Sequence, residues 1–157
     1  MAKAGRLKIL ALDPATRCGW AHSDGPCGTW DLSVKREESS GMRLIRLRMK
    51  LEELLKSHSV DLVAYEAPAA MQSMQAAKVV YELVGQIKVW CHDHGFQFVS
   101  YMPPQLKKFA TGKGNAKKEA MVDAFESIVK RPVEDSEHDM VDAWWLLRLV
   151  QSEYDNG

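Results

Sequence analysis

Two short apolar runs each end in an acid and are stopped at once by proline. Leu7 to Leu12 leads into Asp13 and Pro14, and the stretch from Asp61 to Ala67 (DLVAYEA) carries Glu66 with Pro68 behind it. Runs of this length, rich in Ile, Leu, Val and Tyr, predict strands. The prolines forbid continuation of either. A carboxylate at the mouth of a buried strand gives up hydration and needs a cation, a backbone nest or a metal in return. One such strand alone is accounted for by an aspartate that closes its own turn. Two of them can set their carboxylates side by side at one edge of a sheet, and the remaining segments have to be fitted around that edge.

After Pro14 a small-residue turn and a run through Cys18 to Ala21 predict a hairpin. Cys27 to Leu32 (CGTWDL) predicts a third strand, so the chain opens as a three-stranded antiparallel meander. Ser39, Ser40 and Gly41 precede an amphipathic helix to about His58, with Leu44, Leu47, Leu51, Leu54 and Leu55 on one face and Arg43, Arg46, Lys50, Glu53 and Lys56 on the solvated remainder. A second helix is expected from about Met71 to His94, ended by Gly95, with Val80, Leu83, Val84, Ile87 and Trp90 as its buried stripe. Met71 and Met74 read most simply as core or edge packing residues, with an exposed Met71 beside a nucleic-acid cleft, just after Glu66, as the lesser alternative. Phe96 to Tyr101 predicts a fifth strand, and Pro103-Pro104 opens a short helix holding Gln105, Lys107, Lys108 and Phe109. Asn115 is the expected cap of a helix through Lys117, Lys118, Met121, Phe125 and Val129. The last helix is expected from near Ser136, with Asp139 and Asp142 one turn apart ahead of Trp144, Trp145, Leu146, Leu149 and Val150.

A chain of 157 residues with 46% hydrophobic content fits one domain over 1–157. No apolar run approaches the roughly 18 residues of a membrane span, and MAKAGR lacks a signal-peptide core, so a cytoplasmic protein is expected. Three cysteines without a CxxC pair indicate neither a disulfide framework nor a zinc site. Cys18 and Cys27 could face each other across a hairpin, but two buried reduced thiols are the expectation. The formal charge of zero hides an asymmetry: Tyr101 to Arg131 holds seven Lys/Arg against three acids, and Pro132 onward holds seven acids against Arg148 alone. Such neighbouring blocks suit phosphates and metal ions held side by side. The Thr111 to Asn115 turn lacks the spacing of a phosphate loop, while a lysine-bearing helix start can still bind a backbone phosphate.

Asp13, Glu66, Asp139 and Asp142 thus form a candidate acidic set. Magnesium and manganese take oxygen ligands and keep several waters, so four converging carboxylates suit a pair of such ions. Two ions roughly 4 Å apart can activate a water and stabilise the leaving oxygen in phosphodiester hydrolysis. The pieces ILALDPATRCGWA, VAYEAP, QLKKFATGKGNAKKEAM and HDMVDAWWLL, in this order and over nearly the whole chain, resemble the RuvC family of Holliday junction resolvases within the ribonuclease H-like superfamily. The resemblance implies an α/β fold whose mixed five-stranded sheet, three antiparallel strands then parallel ones, is flanked by helices. It also implies a homodimer whose two active sites cut opposed strands of a four-way DNA junction. Cleavage would use two Mg2+ ions per site, with Mn2+ as a substitute, and leave 5′-phosphate and 3′-hydroxyl ends. By position, Asp13, Glu66, Asp139 and Asp142 match the family's catalytic, metal-binding acids, and Lys107, Lys108, Lys113, Lys117 and Lys118 match its DNA-contacting basic region. One departure stands out: family members often carry an aromatic residue shortly after the second acid, whereas this chain reads PAAMQ, with Met71 as the nearest bulky candidate. A phage or prophage member with looser selectivity for branched DNA fits that departure. His138 either assists the metal site or lies on the surface.

Two alternatives share the pattern: a ribonuclease H-like nuclease acting on RNA, flaps or forks, and a non-catalytic nucleic-acid binder whose acids serve capping and solubility. A kinase of the actin-like superfamily also ends its first strand in an acid, but it needs two domains and a glycine-rich turn that this chain lacks.

Overall fold

The computed structural model describes residues 5–68 and 73–155. Five strands, β1 (Ile9–Asp13), β2 (Arg17–His22), β3 (Cys27–Asp31), β4 (Leu62–Glu66) and β5 (Gln97–Tyr101), form one sheet in the order β3-β2-β1-β4-β5. The first three make the antiparallel meander, and β4 runs parallel to both β1 and β5. β1 and β4 are apolar on both faces because helices cover both. Leu10, Leu12, Val63 and Tyr65 face α1 (Gly41–Leu55) and α2 (Met74–His94), where Leu47, Leu51, Leu83, Ile87 and Trp90 complete one core. Ile9, Ala11, Leu62 and Ala64 face α3 (Pro103–Thr111), α4 (Lys118–Val129) and α5 (His138–Tyr154), where Leu106, Met121, Phe125 and Leu146 complete the other.

α5 follows a 3-10 turn over Asp135–Glu137 and is buried around most of its circumference, from Met140 and Val141 to Leu149 and Val150. A helix apolar on nearly all sides belongs inside a core. It lies across β1 and β2 and is roofed by α3 and α4, so its first turn arrives at the sheet edge where β1 and β4 end.

The structure corrects several expectations. α1 stops at Leu55 rather than near His58, and the His58 ring instead meets Asp24 at 3.1 Å. α2 starts at Met74, with Ser73 as its N-cap: Ser73 is extended and its Oγ accepts the Ala76 N–H at 3.1 Å. Asn115 does not cap α4. Ala116 N–H donates to the Lys113 carbonyl at 3.1 Å, closing a separate turn, and Lys117 is the N-cap. Strand register opposes Cys18 to Trp30 and Cys27 to Ala21, with Cys18 buried and Cys27 exposed at the start of the edge strand, so the two thiols neither face each other nor share a core. Met71 lies outside the described residues.

Candidate active site

Side chains alternate along a strand, so Asp13 continues the Ile9-Ala11 row and Glu66 the Leu62-Ala64 row, and both carboxylates aim at the α5 side. The parallel register pairs Leu12 with Tyr65, and one further step sets Asp13 opposite Glu66. Asp142 reaches them from the start of α5. The ligand oxygens of Asp13, Glu66 and Asp142 lie within 4.8 Å of one another, in a cleft also walled by Pro14, Pro103 and Lys107.

A residue absent from the sequence-based set makes this meeting possible. Gly19 sits across from Asp13 on β2, and a Cβ there would fall 1.9 Å from the Asp139 carbonyl oxygen. The bare strand lets the first turn of α5 rest directly on β2. Asp139, one turn before Asp142, stands outside the tight group: its Oδ2 is 3.4 Å from Nε of Arg17, at the start of β2. Three of the four expected acids therefore converge, and the fourth is held beside them by an arginine the sequence did not single out. Its partner could be found only once β2 and α5 were known to touch.

Electrostatics follow from the crowding. Burial, then the charges of Glu66, Asp142 and Asp139, raises the Asp13 carboxyl well above the ordinary range, with Lys118 opposing. Burial and Asp142 push Glu66 up to about 7, against Lys107. Asp142 is raised by burial to about 6, with Lys118 and Lys107 opposing and Asp139 adding to the rise. Of the basic residues expected near DNA, Lys107 and Lys118 thus act on the acidic centre, while Lys108, Lys113 and Lys117 stand exposed along the same stretch. His138 opens α5 with its Nε2 3.9 Å from Asp135. Three half-buried, mutually repelling carboxylates with all-oxygen donors fit a hard divalent cation, which would replace the protons that otherwise relieve them.

A second group of possible metal ligands, His22, Asp24 and His58, is already satisfied. His22 bonds the Ser59 carbonyl through Nε2 at 2.9 Å and accepts the Asp24 N–H at Nδ1 at 3.0 Å, and the Lys8 ammonium sits 2.5 Å from Asp24.

The sequence model of the family described as crossover junction endodeoxyribonuclease RuvC matches residues 9–146. The chain is 27% identical over 122 residues to the crossover junction endodeoxyribonuclease RuvC of Nitratidesulfovibrio vulgaris, covering 74% of each. It is also 27% identical over 120 residues to that of Brachyspira hyodysenteriae, covering 72% of this chain and 75% of the relative. The structure of T. thermophilus RuvC in complex with Holliday junction substrate superposes with a TM-score of 0.71 at 19% identity, covering 90% of both chains, a likeness of fold. The family match runs from β1 into α5 and so spans every element that brings an acid to the cleft: the chain belongs to the RuvC family of crossover junction endodeoxyribonucleases.

Proposed function

We propose that this protein is a metal-dependent endonuclease that resolves four-way DNA junctions, one nuclease domain over residues 1–157 acting as a homodimer in the cytoplasm. The observation that carries the reading is the convergence of Asp13, Glu66 and Asp142 at a cleft bordered by lysine. In it, Asp13, Glu66 and Asp142 would hold the ions, with Asp139 as a further ligand were it released from Arg17. Bound magnesium, two ions per site with manganese as a substitute, supplies the charge that activates water and stabilises the leaving oxygen. Lys107 and Lys118 draw a phosphate to the acids, and Lys108, Lys113 and Lys117 hold phosphates further along the strand. Met71, following Glu66, is the side chain assigned to the junction itself.

The dimer reading is supported by a face that a monomer leaves uncovered. On α2, Tyr81, Gly85 and Val89 form one i, i+4 row, with Tyr81 62% and Val89 52% exposed; Ile45 and Met49 of the adjoining α1 are 50% and 63% exposed. A second copy is the natural cover for such a stripe.

Incubation with a synthetic four-way junction and Mg2+ or Mn2+ tests the function. Paired cuts that disappear in Asp13→Asn while junction binding persists are expected. Junctions left intact by the wild type at every metal concentration would overturn the reading, and competition with flap, duplex and RNA–DNA hybrid substrates reports its selectivity.

A further inference from the structure

A groove lined by Thr16, Arg43, Ser73 and Gln75 opens beside the acidic cleft and shares Ala15 and Val80 with it. No acid lines it. Arg43 occupies an unusual place on α1: Leu47, Leu51 and Leu54 follow it along the buried stripe, so position 43 extends the core row out toward the strand ends. An apolar residue is expected there. The arginine's Nε is instead buried, with no hydrogen-bond partner among the described residues. Its neighbours on the helix are committed, Arg46 to Glu38 at 2.5 Å and to the Ser33 carbonyl at 2.9 Å, and Arg48 to Asp93 at 3.2 Å. A guanidinium is always charged and carries a fork of donors, so a half-buried one whose Nε is buried and unanswered is a place for an acceptor from outside the chain.

We propose that this groove is a subsite for a backbone phosphate of the strand being cut, with Arg43 as its cation and Thr16, Ser73 and Gln75 as neutral donors. The inference rests on the nuclease reading above and adds a contact to it. α1 and α2 cover one face of the sheet and α3 the other, so Arg43 and Lys107 flank the carboxylates from opposite faces of the same sheet edge. A strand held by Lys107 on one side and by Arg43 on the other crosses the acidic centre between them, which positions one phosphodiester over the ions.

The test is binding of a fluorescein-labelled synthetic four-way junction without divalent metal across a salt series, beside calorimetric Mn2+ uptake and thermal unfolding. Arg43→Met keeps the length and the burial. It should lower the magnitude of the log K against log salt slope by about 1 and weaken binding about ten-fold at low salt. Mn2+ uptake should be unchanged and the melting temperature equal or higher, because an unpaired buried donor is removed. Arg43→Lys should restore part of the slope. An unchanged slope in Arg43→Met, with a wild type that binds, would overturn this subsite and leave the nuclease reading standing. A lower melting temperature together with lost Mn2+ uptake would assign Arg43 a structural role and overturn it as well. A wild type that binds no junction at any salt would overturn both.

Discussion

Each of the three converging carboxylates makes the others harder to ionise. A like-charged pair at ~4 Å costs about 4 kcal/mol at an effective dielectric of 20, and burial adds to that penalty for Asp13, Glu66 and Asp142. Removing one charge should therefore stabilise the metal-free protein while destroying its ion site. We expect Asp142→Asn to raise metal-free stability at pH 7.5 by roughly 1–2 kcal/mol, since one pKa unit corresponds to about 1.4 kcal/mol, and to abolish calorimetric Mn2+ uptake. A variant less stable than wild type in chelator would show that Asp142 is a structural anchor instead. These acids were legible in the sequence because each interrupts an apolar pattern. Arg17 and Arg43 were not: an arginine at a strand start or on a helix carries no periodic signature, and what it meets is decided by elements distant in sequence, α5 for Arg17 and the β1–β2 turn with α2 for Arg43.

Between elements, the decisive contact is α5 on β2. The Cβ that Gly19 lacks would stand 1.9 Å from the Asp139 carbonyl oxygen, and backbone on both sides leaves no flexible group to yield. Gly19→Ala should lift the first turn of α5 away from Asp13, with a stability loss of roughly 1–3 kcal/mol as for other overpacked sites and Mn2+ affinity reduced at least ten-fold. Calorimetry and denaturant unfolding measure the two effects separately, and undiminished Mn2+ affinity would mean that α5 does not set the ion site. The five strands, the meander and the five helices of the described residues follow from periods of two and of 3.6 in the sequence, whereas the mixed sheet was implied by the family resemblance and its strand order is read from the structure. Gly19 could not be picked out in the same way, because its importance depends on a register and on a helix 120 residues later. The starts of α2 and α4 were misplaced for a related reason: Ser73 and Lys117 act as caps because their backbones are extended, which composition alone does not reveal.

The whole molecule inherits a pH dependence from its acidic centre. Glu66 and Asp142 rise from ordinary values of 4.5 and 3.8 to about 7 and about 6 on folding. Between those values the folded protein binds more protons than the unfolded chain, so stability falls as pH climbs through the window. Metal-free protein should melt at a lower temperature at pH 7.5 than at pH 5. Millimolar Mn2+ should reverse that order, because the ion binds only deprotonated carboxylates; identical melting curves across the window would remove the electrostatic account. The same molecule presents two copies of that centre only if it pairs, and in the dimer proposed above the uncovered α2 row would supply the means. Gly85 has open space around its Cβ position, so in the proposed dimer a partner's helix would approach closely there, with Tyr81 and Val89 packing on either side of the crossing. A charge placed in that row meets its own symmetry mate, or is buried without a partner. Val89→Asp, at a position 52% exposed in the isolated chain, should therefore sediment as a monomer with little change in melting temperature. It should retain Mn2+ uptake and nick one strand of a junction instead of cutting two in concert. A dimer that survives Val89→Asp in sedimentation would place the contact on another face.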